Sequence, residues 1–181
     1  MKKITVFIAA LAFCGINAQN TNKINYIPGS GLDFGFHNDE YHFNIGGFVQ
    51  PKYTYSKMDG EKAGHELNVN HAFFTLRGNA VKEKISFELQ TDFSLSAPLL
   101  DAWVGYHPTE NITIAAGQKK SPLNNREMTI NEDRLTFAER SLLSTELSNT
   151  GREFGGFAEV RIGKGNFKIV PQVAVTSGDG R

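Results

Sequence analysis

Tyr41-His42-Phe43-Asn44-Ile45-Gly46-Gly47-Phe48-Val49-Gln50-Pro51-Lys52-Tyr53-Thr54-Tyr55 is the stretch that decides the fold. Its odd positions are apolar or aromatic and its even positions polar, with Phe48 the one exception. Side chains of a strand point alternately to the two faces of a sheet, so this pattern predicts a strand with one apolar and one polar face. The run is about three times the usual strand length of roughly five or six residues. Pro51 cannot donate to a ladder and predicts an edge or a bulge near that end.

The alternation recurs downstream. Ala72, Phe74, Leu76, Gly78 and Ala80 oppose Thr75, Arg77 and Asn79. After Lys82-Glu83-Lys84, Ile85, Phe87, Leu89, Thr91 and Phe93 oppose Ser86, Glu88, Gln90, Asp92 and Ser94. Leu100, Ala102, Val104 and Tyr106 then oppose Asp101, Trp103 and Gly105, and Ile112, Ile114 and Ala116 follow a short turn. A last pair covers residues 154–162 and 167–176, giving about seven strands. A 3.6-residue apolar period shows only weakly, over residues 135–147. Turns near residues 82, 109 and 164 are short, whereas residues 57–70 and 119–151 form long connections at the other end. That is the layout of an outer-membrane barrel.

A soluble antiparallel sandwich would also alternate. Two features favour the barrel. Tyr41 and Tyr53/Tyr55 lie twelve to fourteen positions apart on the apolar face. At ~3.3 Å per residue and a tilt of about 40°, they are roughly 30 Å apart along the membrane normal, as two aromatic girdles would be. The polar faces also carry charged and amide residues in nearly every strand, as a wet lumen requires.

The chain has 181 residues, 19 Lys+Arg against 19 Asp+Glu, and one Cys. Lys2 and Lys3, the apolar run from Ile4 to Gly15 and the small Ala18 read as a cleavable secretory leader over residues 1–18. Its removal takes two lysines and Cys14, leaving 17 basic against 19 acidic residues and no cysteine. Disulfides are thereby excluded, and five scattered histidines speak against a metal site. No Gly-x-Ser-x-Gly elbow, HExxH pair or phosphate loop is present, so no enzyme and no cofactor are expected. A basic stripe interleaved with aromatics is also missing, which excludes a nucleic-acid partner. Residues 19–40 read as a lead-in to a barrel portion over residues 41–181.

Gly117-Gln118-Lys119-Lys120-Ser121-Pro122, then Arg134-Leu135-Thr136-Phe137-Ala138-Glu139-Arg140-Ser141, then Gly151-Arg152-Glu153-Phe154-Gly155 resemble the porin O/P family of phosphate-selective porins. Gly31-Leu32, Phe43, Gly46-Gly47, Gln50 and Tyr53 are similar to its first strand, and Asp101-Ala102-Trp103-Val104 to the strand before its central motif. The resemblance implies a sixteen-stranded, homotrimeric barrel in the outer membrane, with lipid around it and a third long loop, here about 119–151, folded inward as a constriction. Members run to about twice this length, and about seven strands cannot close a barrel of even strand count. The chain therefore reads as the N-terminal part of such a porin, passing small anions, phosphate among them. An anion path would be lined by cations: Lys119, Lys120, Arg126, Arg134, Arg140 and Arg152 around the loop, with Lys52, Arg77, Arg161 and Lys168 on the polar face. As many carboxylates stand near them, including Glu139, Glu153, Glu88, Asp92 and Asp101. Ion pairs that pin the loop to the wall are thus an equal reading for each arginine.

Overall fold

A computed structural model describes residues 22–38, 40–60, 62–122, 151–164 and 167–178. Strands make up 73% of these residues and no helix occurs among them, which makes the protein all-β. In chain order the strands are β1 (Lys23–Ile27), β2 (Gly31–Phe36), β3 (Tyr41–Ser56), β4 (Gly64–Ala80), β5 (Ile85–Asp92), β6 (Leu99–Thr109), β7 (Ile112–Lys120), β8 (Arg152–Val160), β9 (Ile162–Lys164), β10 (Phe167–Ile169) and β11 (Gln172–Thr176). Nine of them form one antiparallel sheet in the order β1-β2-β3-β4-β5-β6-β7-β8-β11, and β9 pairs with β10 beside it. Each strand from β1 to β8 lies beside its neighbour in sequence, the result of linking antiparallel strands by direct hairpin connections. β1 and β11 are the two ends of the order, so the described sheet is open.

Besides the strand count, which rises from about seven to eleven among the described residues, two expectations from the sequence are revised. Residues 23–36, read as part of a lead-in, form the β1-β2 hairpin around residues 28–30, where Ser30 N–H donates to Ile27 O at 2.9 Å. The connection placed at 57–70 shrinks to 57–63, because β4 begins at Gly64 and pairs with β3 along its whole length. The reason for the second lies at Pro51. Gln50 opposes His71 and Pro51 opposes Val69, so Asn70 is the extra residue of a bulge. Leu67 and Val69 therefore share a face with Ala72 and Phe74 although their parity differs, and simple alternation fails across the junction. A similar shift at Gln90/Thr91 leaves Leu100 unpaired, and Gln118 Nε2 donates to Leu99 O at 3.3 Å and to Leu100 O at 2.7 Å. Pro108 sits in a third irregularity, between Tyr106 and Thr109. Both strand prolines thus fall where the ladder is already interrupted.

The two faces of the sheet are inverted relative to a water-soluble domain. Among the described residues the buried hydrophobic side chains are Phe73, Leu100, Ala115 and Phe157, whereas Asn44, Thr75, Gln90, Asp92, Asp101 and Arg152 are buried polar ones. Ile45, Val49, Phe74, Leu89, Val104, Ile114, Phe154, Val173 and Val175 stand exposed on the opposite face. Arg152 on β8 reaches Gln90 on β5, three strands away, at 3.2 Å. With strands about 4.8 Å apart, that contact requires the sheet to curl toward its polar face.

The turn joining β4 to β5 holds Val81, Lys82 and Glu83 at φ of 54°, 53° and 63°. Left-handed backbone costs an L-residue roughly 1–2 kcal/mol, and it suits a β-branched side chain least. Val81→Asn is expected to stabilise the protein by about 0.5–1 kcal/mol, since Asn tolerates this region. The measurement is the urea midpoint of the refolded chain; an unchanged or lower midpoint contradicts the prediction.

Candidate functional site

The concave polar face is organised as rows of residues that oppose one another from strand to strand. One row runs Asp33, Asn44, Arg77, Glu88, Trp103, across β2 to β6, and continues through Gly117 on β7 to Gly155 on β8. The next row, toward residues 37–40, carries His42, Asn79, Ser86 and Gly105, with Ala115 and Phe157 beyond. The row on the other side carries Thr75, Gln90 and Asp101. Period two places every second residue of each strand here, which is why the polar set of the sequence converges on one wall.

Arg152 closes the third row. Its Nε donates to Asp101 Oδ2 at 3.1 Å and its Nη2 to Gln90 Oε1 at 3.2 Å, while Gln90 Nε2 donates to Thr75 Oγ1 at 3.2 Å. Arg152 is 6% exposed and Asp101 5%. Four strands, β4, β5, β6 and β8, are tied by this chain of polar contacts. Gly151, at φ 60°, accepts the Ser121 N–H at 3.0 Å, which fixes the two ends of the 121–151 connection to each other just before Arg152 turns inward.

Histidine and aspartate make further ties. His71 Nδ1 lies 2.7 Å from Asp92 Oδ2, and Asp92 Oδ1 accepts from Ala72 N, Ser94 N and Ser94 Oγ at 2.9, 3.0 and 2.7 Å. His42 Nε2 lies 2.9 Å from Asp33 Oδ2. His107 joins three strands, with Nε2 at 2.8 Å from Ser86 Oγ and Nδ1 at 3.1 Å from Thr113 Oγ1. Phe48, the exception in the alternation of β3, stacks on Phe73 of the same face with centroids 4.9 Å apart. Among the described residues no group of three or more His, Cys, Asp or Glu is placed to hold a metal ion.

The residues singled out from the sequence fall into different environments. The Lys119 ammonium lies over the Trp103 ring at 4.9 Å and over the Phe157 ring at 5.3 Å, a cation–π position that holds it against the wall and leaves its charge intact. Lys120 ends β7 opposite Arg152. Arg152 belongs to the buried tie just described. Arg77 is exposed on the polar face, opposite Glu88. Lys52 is half-buried on β3 opposite Asn68. Arg161 pairs with Glu159 at 2.9 Å, and Lys168 lies on β10. Arg126, Arg134 and Arg140, with most of the 119–151 loop and the leader, lie outside the described residues. Thr75 and Gln90, polar members of the alternation, had no signal in the sequence beyond their parity.

These features define an all-β protein built on one large antiparallel sheet with a charged, concave wall. It matches no known family model, and no curated protein is significantly similar to it.

Proposed function

We propose that this chain forms part of the wall of a water-filled outer-membrane channel that passes small anions, phosphate among them. The observation that carries the reading is the inverted sheet. A continuous apolar face from Ile45 to Val175 stands exposed while carboxylates, amides and Arg152 are buried on the other side. In water such a face would be a large uncovered apolar surface of the kind monomers rarely expose. Against lipid it is the expected outer surface of a barrel, and Tyr41 and Tyr106 toward one end, with Tyr53 and Tyr55 toward the other, suit its two interfaces. The resemblance of the Gly117 to Pro122 and Gly151 to Gly155 segments to porin O/P proteins adds the anion preference, the homotrimer and the outer-membrane location.

Lys119 carries the test of selectivity. Changing its charge by two units some 6 Å from a passing ion in water alters the ion's energy by about 1 kcal/mol after screening. The shift has opposite signs for chloride and potassium, so Lys119→Glu in the complete barrel is expected to lower the chloride-to-potassium permeability ratio by about 2 kcal/mol, roughly thirtyfold, in planar bilayers. An unchanged ratio removes Lys119 from the anion path. A channel whose chloride current is insensitive to added phosphate contradicts the phosphate preference. Recovery of the protein with soluble periplasm, in place of a heat-modifiable band in the outer-membrane fraction, would support a soluble β protein.

A further inference from the structure

The row Asp33, Asn44, Arg77, Glu88, Trp103 is a continuous band of side chains, one from each of five adjacent strands, and it lines a trough together with His42, Asn79 and Ser86. Four steps of about 4.8 Å make it ~19 Å long, the span of a short oligomer and more than a single small solute needs. Asp33 is held at one end by His42 at 2.9 Å. Trp103, at the other end, has Lys119 over its ring at 4.9 Å, so its position is fixed on the β7 side. Beyond it the row continues as Gly117 and Gly155, which carry no side chain into the trough. Arg77 is exposed on the wall beside Glu88, whose carboxylate feels its charge.

We infer that this band is a binding track for a neutral, polyhydroxylated solute, a short oligosaccharide. Vicinal hydroxyls suit planar groups with two donors or two acceptors, and carboxylate, amide and guanidinium supply both kinds in alternation along the band. The C–H faces of a sugar ring suit the apolar body of an indole whose edge can still meet water. Charge is close to balanced at this place, with Asp33, Glu88 and Asp101 set against Arg77, Lys119 and Lys120. A band of alternating sign without net charge suits neutral hydroxyls, which take up donors and acceptors in equal measure, better than it suits a dianion. The track rests on the channel reading for access from both sides of the membrane. Its binding chemistry does not depend on conduction.

Trp103 is the chain's single tryptophan, so its emission reports this site alone. The test is a titration of the full chain, folded in detergent, with maltotriose and separately with inorganic phosphate. Maltotriose is expected to shift the emission saturably with a Kd on the order of 1 mM, a usual value for weak, solvent-exposed recognition. Arg77→Ala and Glu88→Gln should each weaken it about tenfold, the loss of one or two charge-assisted hydrogen bonds. Glu88→Gln keeps the shape of the side chain, and heat-modifiable mobility on a gel verifies that either variant is folded. Saturation by phosphate but not by maltotriose overturns the inference in favour of an anion site, and no saturable change with either ligand overturns it outright. A positive titration from a complete barrel containing this chain that nevertheless forms no channels in planar bilayers would refute the transport reading while leaving the binding track standing.

Discussion

Replacing Arg152 by alanine is expected to destabilise the folded sheet by about 3–5 kcal/mol, the usual cost of removing one partner from a buried ion pair. The magnitude follows from what is left behind. Asp101 is 5% exposed, and among the described residues its Oδ1 has no hydrogen-bond partner, so without Arg152 the carboxylate is left buried with neither oxygen paired to a described group. Gln90 Oε1 loses its donor at the same time, although Gln90 keeps Thr75. Arg152→Lys should recover only part of the loss, because an ammonium cannot reproduce the fork that reaches Asp101 and Gln90 together. Arg152→Ala combined with Asp101→Asn should be less unstable than Arg152→Ala alone, since the second change removes the stranded charge. Urea unfolding in detergent or lipid measures all four proteins. Equal midpoints for wild type and Arg152→Ala would show that the tie contributes nothing. The position matters for function too, because Gly151 and Arg152 are where the chain returns from the 121–151 connection to the wall.

Leu89→Arg separates the two environments that the apolar face could meet. Leu89 stands on that face of β5, in register with Leu76 and Ala102, in the central part of the sheet, and is 37% exposed. An arginine near the bilayer midplane on the lipid side of a barrel costs about 2–4 kcal/mol. An arginine on a surface facing water costs within about 0.5 kcal/mol. Folding of the variant in bilayers should therefore be shifted by the larger amount, with a loss of heat-modifiable protein in the outer membrane. A shift below about 0.5 kcal/mol would place Leu89 in water and remove the lipid from the account. Glu88, the preceding residue, points to the opposite wall, so Glu88→Arg serves as the matched control with a small effect on insertion.

Much of the sheet was legible because the signal is simple. The alternation of Tyr41 to Tyr55 placed β3 within a residue of its observed end, and Trp103 was correctly grouped with Asp101 by parity alone. Pro51 marked a bulge, but its consequence fell on the partner strand. The extra residue, Asn70, reverses the parity of β4, so Leu67 and Val69 looked like loop when read by alternation from Ala72. β1 and β2 are not legible by alternation, because each is five or six residues long and two glycines, Gly31 and Gly35, dilute the apolar set. The arginines were the least legible. Nothing in the neighbourhood of Arg152 names Asp101 or Gln90 as partners, because the contact depends on curvature that brings β8 over β5. Arg77 and Arg152 look alike in sequence, yet one is exposed on the wall and the other is buried within it.

The central claim is that one face of the sheet meets lipid and the other meets water, and Trp103 and Val104 test it by a single step along β6. In proteoliposomes whose acyl chains carry bromine, the native Trp103, on the polar wall, should be quenched little relative to unbrominated lipid. Moving the tryptophan to the other face, with Trp103→Phe together with Val104→Trp, should bring strong quenching, because successive side chains of a strand point to opposite faces. Equal, weak quenching at both positions, or failure of the refolded chain to associate with bilayers at all, would contradict the account.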